Sequence, residues 1–176
     1  MTSIDYRHWL LTWTTYGSWV PGDDRGSTSV TRSPDGILEK HNRVGPFSAP
    51  SNAALASFSH EMRKHPIVML DHSMAELVEK QLQETASYRG WSILILAIMT
   101  THIHLVLQVK DDPKPSKMLK DLKSYASRRL NRHDPTRSGR WWTDSGSARF
   151  LAEEANVTAA IAYVRNQPNS LLVRGG

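Results

Sequence analysis

Apolar and polar residues alternate along short stretches of the chain, a period of two that is typical of β-strands with one buried face. The alternation is clearest over residues 102–109, where His102, His104, Val106 and Gln108 alternate with Ile103, Leu105, Leu107 and Val109. A nearly continuous apolar run over residues 91–99 predicts a central strand covered on both faces. Two further strands are predicted, a first one over residues 9–13 and an edge strand over residues 146–151.

Apolar residues recur with helical spacing in three other stretches, which predicts helices over about residues 73–88, 116–132 and 153–167. Ser73 and Glu76 form a capping-box signature at the start of the first helix, and Gly90 ends it. Pro168 cannot continue the last helix. On that helix Tyr163 and Gln167 lie on one flank of the predicted buried stripe.

The predicted elements run strand, helix, strand, strand, helix, strand, which is the order of the ferredoxin-like fold. We therefore predict a single α+β domain over residues 1–176, a ferredoxin-like (RRM-like) sandwich with an antiparallel sheet and helices packed on one face. Residues 23 to about 51 are polar and contain several Pro, Gly and Ser residues. A loop insertion is expected at about residues 24–66.

Positive charge is concentrated in one part of the chain. The net charge is +5, and residues 110–140 carry ten Lys or Arg against four Asp. A basic stretch suits a DNA backbone, although a solvated helix face is the common alternative. Trp142 and its neighbour Trp141 could stack on unpaired bases or pack in the core. The candidate DNA-binding residues are Lys117, Lys120, Lys123, Arg128, Arg132, Arg140 and Trp142.

The absence of cysteine excludes disulfides and thiolate zinc sites. The longest apolar run, residues 93–99, is too short to span a bilayer. No basic segment leads into a long apolar stretch at the start. A cytoplasmic protein without a membrane partner is expected.

Four residues suggest chemistry on a phosphate. His102 and His104 share one face of a strand, and Tyr163 and Gln167 are four apart on a helix. Imidazole nitrogens and an amide oxygen are neutral ligands, so a divalent cation that they bind keeps its charge for a phosphoryl oxygen. A phenol beside that phosphate can attack it and form a covalent intermediate. Either pair alone is weak evidence, because isolated histidines are more often ordinary surface or core residues.

The segments His102-Ile103-His104 and Ala162 to Gln167 (AYVRNQ) resemble the motifs of single-tyrosine HUH transposases, insertion-sequence enzymes related to the REP-associated tyrosine transposases. The stretch from Leu10 to Gly26 is similar to one branch of that group, and the resemblance spans roughly residues 5–170. It implies an HUH nuclease architecture and a single-stranded or hairpin DNA substrate. His102, His104 and Gln167 would hold Mg²⁺ or Mn²⁺, and Tyr163 would become joined to the 5′ phosphate of cut DNA.

Several alternatives stay open at this point. Tyr125 is a rival nucleophile, since it too lies on a helix downstream of the histidines. A metal-dependent nuclease that uses water and a non-catalytic nucleic-acid-binding module on the same fold are the rival functions. Imidazole accepts several metals, so the ion is open. Both a homodimer and a monomer are compatible with the resemblance.

Overall fold

The computed structural model describes residues 6–19, 30–32, 38–40, 53–144 and 146–175. The strands described there are β1 (Tyr6–Thr14), β2 (Val30–Arg32), β3 (Leu38–Lys40), β4 (Ser92–Met99), β5 (His102–Lys110), β6 (Ser147–Leu151) and β7 (Ser170–Gly175). The helices are α1 (Ala53–Glu61), α2 (His72–Arg89), α3 (Pro115–His133) and α4 (Glu154–Arg165).

Five strands form one antiparallel sheet in the order β6-β1-β5-β4-β7. Strand β5 is central, and β1 pairs with its whole length, from Tyr6 opposite Lys110 to Thr14 opposite His102. The elements β1, α2, β4, β5, α3 and β6 follow the predicted ferredoxin-like order, so the predicted α+β fold is confirmed. Strand β7, which the sequence analysis did not predict, extends the sheet beside β4.

The two faces of the sheet bury different helices. The alternating residues Ile103, Leu105 and Leu107 of β5 are fully buried in one core together with α2 and α3. These two helices account for the predicted layer on one face. Helix α4 packs on the opposite face, in a second core. The second core consists of Ile95, Ala97, Met99, Val106, Leu151, Val157, Ala160 and Val164. The face of β5 that carries the histidines is therefore also covered.

The helix boundaries lie close to the predicted ones, with two corrections. Asp71, and not Ser73, is the N-cap of α2, since its carboxylate accepts a hydrogen bond from the Met74 amide at 2.8 Å. Gly90 ends this helix at φ 70°, as predicted. Helix α4 ends at Arg165, two residues before the predicted end at Gln167. None of the described helices is long and apolar enough to cross a membrane.

The stretch predicted as a loop insertion contains regular structure within the described residues. Strands β2 and β3 pair as a two-stranded sheet, and α1 covers Ala53–Glu61. Strands of three residues are too short to give a recognisable alternation, which is why the sequence did not reveal them. The remaining residues of this stretch up to 52 lie outside the described part of the chain. That residues 24–66 are an insertion as a whole stays a prediction.

Candidate active site

The central strand β5 presents His102 and His104 on the face that α4 covers. The centroids of their rings lie 5.1 Å apart with the planes nearly perpendicular, at 84°. His104 is buried at 6% exposure, and His102 is partly exposed at the strand end. The shared face follows from the period-two alternation of the strand, as the sequence predicted.

A threonine of the neighbouring strand holds the buried histidine. Thr12 lies opposite His104 in the β1–β5 register, and its Oγ1 is 2.7 Å from Nδ1 of the ring. When Nδ1 carries the proton and donates to this hydroxyl, the lone pair lies on Nε2 and can bind a ligand. At the strand end, Thr101 Oγ1 lies 3.1 Å from Nδ1 of His102. Sequence reasoning missed Thr12, because only strand pairing brings it to the histidine.

Burial also controls the charge of His104. Loss of water around the ring, with a smaller contribution from the nearby His102, lowers the pKa of His104 from its ordinary value to about 4. The ring is therefore neutral at neutral pH. Neutral imidazole is the form that binds metal ions.

Helix α4 brings Tyr163 to the same face of the sheet. Its ring centroid lies 5.2 Å from that of His104, and the planes meet at 73°. Val157, Ala160 and Val164 anchor the helix in the core, so Tyr163 lies on the flank of this stripe, as predicted. Tyr163 is 50% exposed. A large substrate can reach the phenol.

Gln167 follows the end of α4 and folds back onto it. Its Nε2 donates a hydrogen bond of 3.1 Å to the backbone carbonyl of Tyr163. The side-chain oxygen Oε1 takes no part in this bond and is the atom of Gln167 suited to bind a cation. Gln167 and Tyr163 are therefore neighbours, although the helix ends before Gln167.

The donor set fits a divalent cation with open coordination positions. His102, His104 and Gln167 would supply two ring nitrogens and one amide oxygen, all neutral. The described residues contain no group of three or more His, Cys, Asp or Glu side chains placed to hold a metal. A His-His-Gln set that shares an ion with a phosphate would suit these residues.

A cleft of about 410 Å³ lies beside the tyrosine, between α4 and strands β1 and β6. Its walls include Leu10, Thr12, Arg149, Asn156 and Tyr163. The cleft thus joins the phenol to a guanidinium and an amide that can bind phosphate or base edges. Arg149 and Asn156 were not singled out from the sequence, because a single arginine on an edge strand carries no distinctive pattern.

The rival tyrosine lies elsewhere. Tyr125 is on α3, which packs against the opposite face of the sheet from the two histidines. Its ring is covered by Arg128, whose guanidinium carbon is 5.0 Å from the ring centroid. Arg129, four residues after Tyr125 on the same helix, forms an ion pair with Glu84, with its Nη1 4.0 Å from Oε1. The structure therefore does not bring Tyr125 to the histidines of its own chain.

The predicted DNA-binding residues follow α3 and the segment after it. Lys117, Lys120, Arg128, Arg132 and Arg140 are exposed. Lys123 is partly buried and donates to the backbone carbonyls of Thr143 and Asp144. Burial lowers the pKa of Lys123 to about 8, partly opposed by Asp144.

The two tryptophans after α3 belong to the interior. Trp141 is 3% exposed and Trp142 is 5% exposed. Trp142 packs edge-on against Trp13, with ring centroids 6.3 Å apart. The packing alternative thus accounts for most of their surface, and a contact of Trp142 with DNA stays a prediction.

Comparison with known proteins gives one family. The family model for IS200-like transposases matches residues 61–167, which include His102, His104, Tyr163 and Gln167. No curated protein matches the chain.

Two solved structures share the fold. The first is a protein from Deinococcus radiodurans R1 assigned as a transposase, with a TM-score of 0.51, 17% identity and 95% of each chain covered. The second is a REP-associated tyrosine transposase bound to a REP hairpin. It has a TM-score of 0.50 and 8% identity, and the alignment covers 93% of this chain and 68% of that one. At these identities the likeness shows the fold.

Proposed function

Because the chain belongs to the IS200-like transposase family, we propose that it cuts and rejoins single-stranded DNA through a covalent bond between Tyr163 and a 5′ phosphate. The observation that carries this proposal is the spacing of three rings in one chain. Tyr163 lies 5.2 Å from His104, which lies 5.1 Å from His102, between ring centroids. A phenol and two imidazoles this close suit a phosphate held between a nucleophile and a cation.

Tyr163 is the nucleophile of the proposed reaction. Its phenol oxygen forms a bond to phosphorus while the bond to the 3′ oxygen breaks. The phenol loses its proton, and the departing oxygen gains one and leaves as a 3′ hydroxyl. Attack by the 3′ hydroxyl of another DNA end reverses the exchange and restores the phenol. The bond energy is conserved in the protein–DNA linkage, so the strand can be rejoined.

His102, His104 and Gln167 are the proposed ligands of Mg²⁺ or Mn²⁺. The ion, when bound, would supply positive charge beside the phosphoryl oxygen. The chain itself orients the donors: Thr12 fixes the ring of His104, and the Tyr163 carbonyl fixes the amide of Gln167. Neutral donors suit this role, since they leave the charge of the ion for the phosphate.

The proposed substrate is DNA that carries a hairpin next to a single strand. The REP hairpin bound to the structural neighbour supports this choice. The cleft beside Tyr163 offers Arg149 and Asn156 to the strand that is cut. The exposed cations of α3 would bind phosphates of the same molecule at a distance from the cut.

A covalent-adduct assay tests the proposal. The protein is incubated with Mn²⁺ and a labelled pool of oligonucleotides whose hairpin is flanked by randomised single strands, and adducts are separated on a denaturing gel. The unmodified protein and Tyr125→Phe should form the adduct, whereas Tyr163→Phe should not. Tyr88→Phe, at an exposed tyrosine of α2, is a further control.

The rival functions give different results in the same assay. Cleavage without any adduct would indicate a nuclease that uses water. Binding that survives EDTA, with no cleavage of any substrate, would indicate a non-catalytic module. An adduct lost in Tyr125→Phe and kept in Tyr163→Phe would overturn the assignment of the nucleophile.

A further inference from the structure

A large cleft lies away from the tyrosine, between α3 and the chain segment that leads into β6. Its volume is about 730 Å³, within the range of about 300–1,000 Å³ that is usual for small-molecule sites. The residues that matter for its chemistry are Leu119, Lys120, Ser124, Arg140, Trp142 and Ala148. Neither the two histidines nor Tyr163 line it.

One wall of this cleft is apolar and firmly held. Leu119, Ala148 and Trp142 line the cleft, and the indole N–H of Trp142 donates to the carbonyl of Lys123 at 3.1 Å. Trp142 is also packed edge-on against Trp13. A wall fixed by core packing and a hydrogen bond does not have to be ordered when a flat ligand binds, which favours affinity.

The rest of the lining is cationic or hydroxylic. Lys120 and Arg140 are exposed at the cleft, and Arg140 forms an ion pair with Asp144. Ser116 and Ser124 add hydroxyl groups that can donate to or accept from base edges, whereas the Ser127 hydroxyl donates to the Lys123 carbonyl at 2.9 Å and can only accept. An apolar wall beside lysine and arginine side chains complements a ligand with a flat ring and a phosphate.

Edge strand β6 connects this cleft to the tyrosine cleft. Within the described residues β6 pairs only with β1. Its residue Ala148 lines the large cleft, and the next residue, Arg149, lines the cleft beside Tyr163. Because consecutive strand residues point to opposite faces, the two clefts lie on the two sides of one strand. A DNA strand that passes over this edge can occupy both.

We infer that the large cleft holds one unpaired nucleotide of the DNA that Tyr163 cuts, with its base against Leu119, Ala148 and Trp142 and its phosphate at Lys120. The inference rests on the proposed function, since it needs a DNA substrate. The basic helix α3 would then contribute to a site for a base as well as contacts with phosphates. This site lies on the face of the sheet that carries no catalytic residue.

The test compares two ligands that differ only in their bases: an oligothymidylate and an abasic oligomer of the same length. Affinities are measured by fluorescence anisotropy in a Tyr163→Phe background, so that no strand is cut. Without further change, the protein should bind the oligothymidylate about ten-fold more tightly, as expected for a stacked base. Ser124→Phe fills the cleft and should remove most of this preference while leaving the affinity for the abasic oligomer unchanged.

Two variants separate the base site from other effects. Ser87→Phe adds the same ring to an exposed position of α2 and should keep the full preference. Lys120→Ala should weaken binding of both oligomers, because it removes a phosphate contact. Ser127→Leu narrows the same cleft. It is used in place of Ser124→Phe if a thermal melt shows that Ser124→Phe is not folded at the assay temperature.

The inference is wrong if Ser124→Phe or Ser127→Leu prefers the oligothymidylate over the abasic oligomer as strongly as the Ser87→Phe control does. It is also wrong if the protein without a cleft substitution shows no such preference. The adduct assay distinguishes this failure from failure of the proposed function. If the adduct forms through Tyr163 while the preference is insensitive to the cleft, only the inference is wrong. If no adduct forms with any DNA, the proposed function itself fails.

Discussion

Thr12 Oγ1 lies 2.7 Å from Nδ1 of His104, a contact between neighbouring strands of the sheet. In metal sites, a partner of this kind orients the ring and sets which nitrogen carries the proton. Thr12→Val keeps the shape of the side chain and removes the hydroxyl. We expect affinity for Mn²⁺, measured by titration calorimetry, to fall about ten-fold or more. Thr158→Val, at an exposed position of α4, should leave it unchanged, and an equal loss in both variants would refute the role of Thr12.

Gln167 is the third proposed ligand and lies outside the helix that carries Tyr163. Gln167→Ala removes the amide oxygen, so Mn²⁺ affinity should fall by about ten-fold in the same titration while the fold is retained. Gln83→Ala, at an exposed position of α2, provides the matched control. Unchanged Mn²⁺ affinity in Gln167→Ala would leave the two histidines as the only protein ligands of the proposed site.

The ring centroids of Tyr163 and His104 lie 5.2 Å apart within the chain, so we expect one chain to supply both the tyrosine and the histidines of the proposed site. Helix α4 is packed on its own sheet through Val157, Ala160 and Val164, so exchange of this helix between subunits would require that core to open. A mixture of His102→Ala and Tyr163→Phe proteins should therefore form no adduct, since neither chain holds a complete site. Recovery of adduct to a substantial fraction of the unmodified level on mixing would show that Tyr163 acts on a partner's histidines.

Arg149 is the exposed cation of the cleft beside Tyr163. Arg149→Ala should weaken binding of single-stranded DNA and lower the slope of log Kd against log salt by about one unit, because one phosphate contact is lost. Arg174→Ala, on β7 at the opposite edge of the sheet, removes the same charge and should change the slope less. Equal effects would mean that Arg149 acts only through net charge.

Gly90 ends α2 in a left-handed conformation, at φ 70° and ψ 27°. A Cβ atom at this position would meet nothing within 4 Å, so only the backbone conformation disfavours a side chain. Gly90→Ala should lower the free energy of unfolding by about 1–2 kcal/mol in urea titrations. Gly90→Asn should lower it less, because asparagine tolerates this region. A loss in Gly90→Asn as large as in Gly90→Ala would point to a different cause.

The local patterns of the chain predicted much of the fold. Alternation in β5 identified the face that packs on α2 and α3, and helical spacing located α2, α3 and α4 to within two residues. The misassigned N-cap shows the limit of such patterns: Ser73 fits a capping signature, but it lies inside the first turn and its hydroxyl donates to Asp71, whose carboxylate accepts from the Met74 amide. Strand β7 was missed because a short run of apolar residues is stable as a strand only where a sheet edge accepts it, here at β4.

The candidate site, like the fold, was predicted only in part from the sequence. The sequence by itself determined that His102 and His104 share a face and that Tyr163 flanks the buried stripe of its helix, because both follow from the repeat of one strand or one helix. Only the tertiary structure decided that α4 packs on the histidine face and α3 on the other, which separates Tyr163 from Tyr125. It also buried Trp142 and brought Thr12 to His104. An apolar stripe specifies that a helix is covered, but the side of the sheet it covers depends on how distant segments pack together.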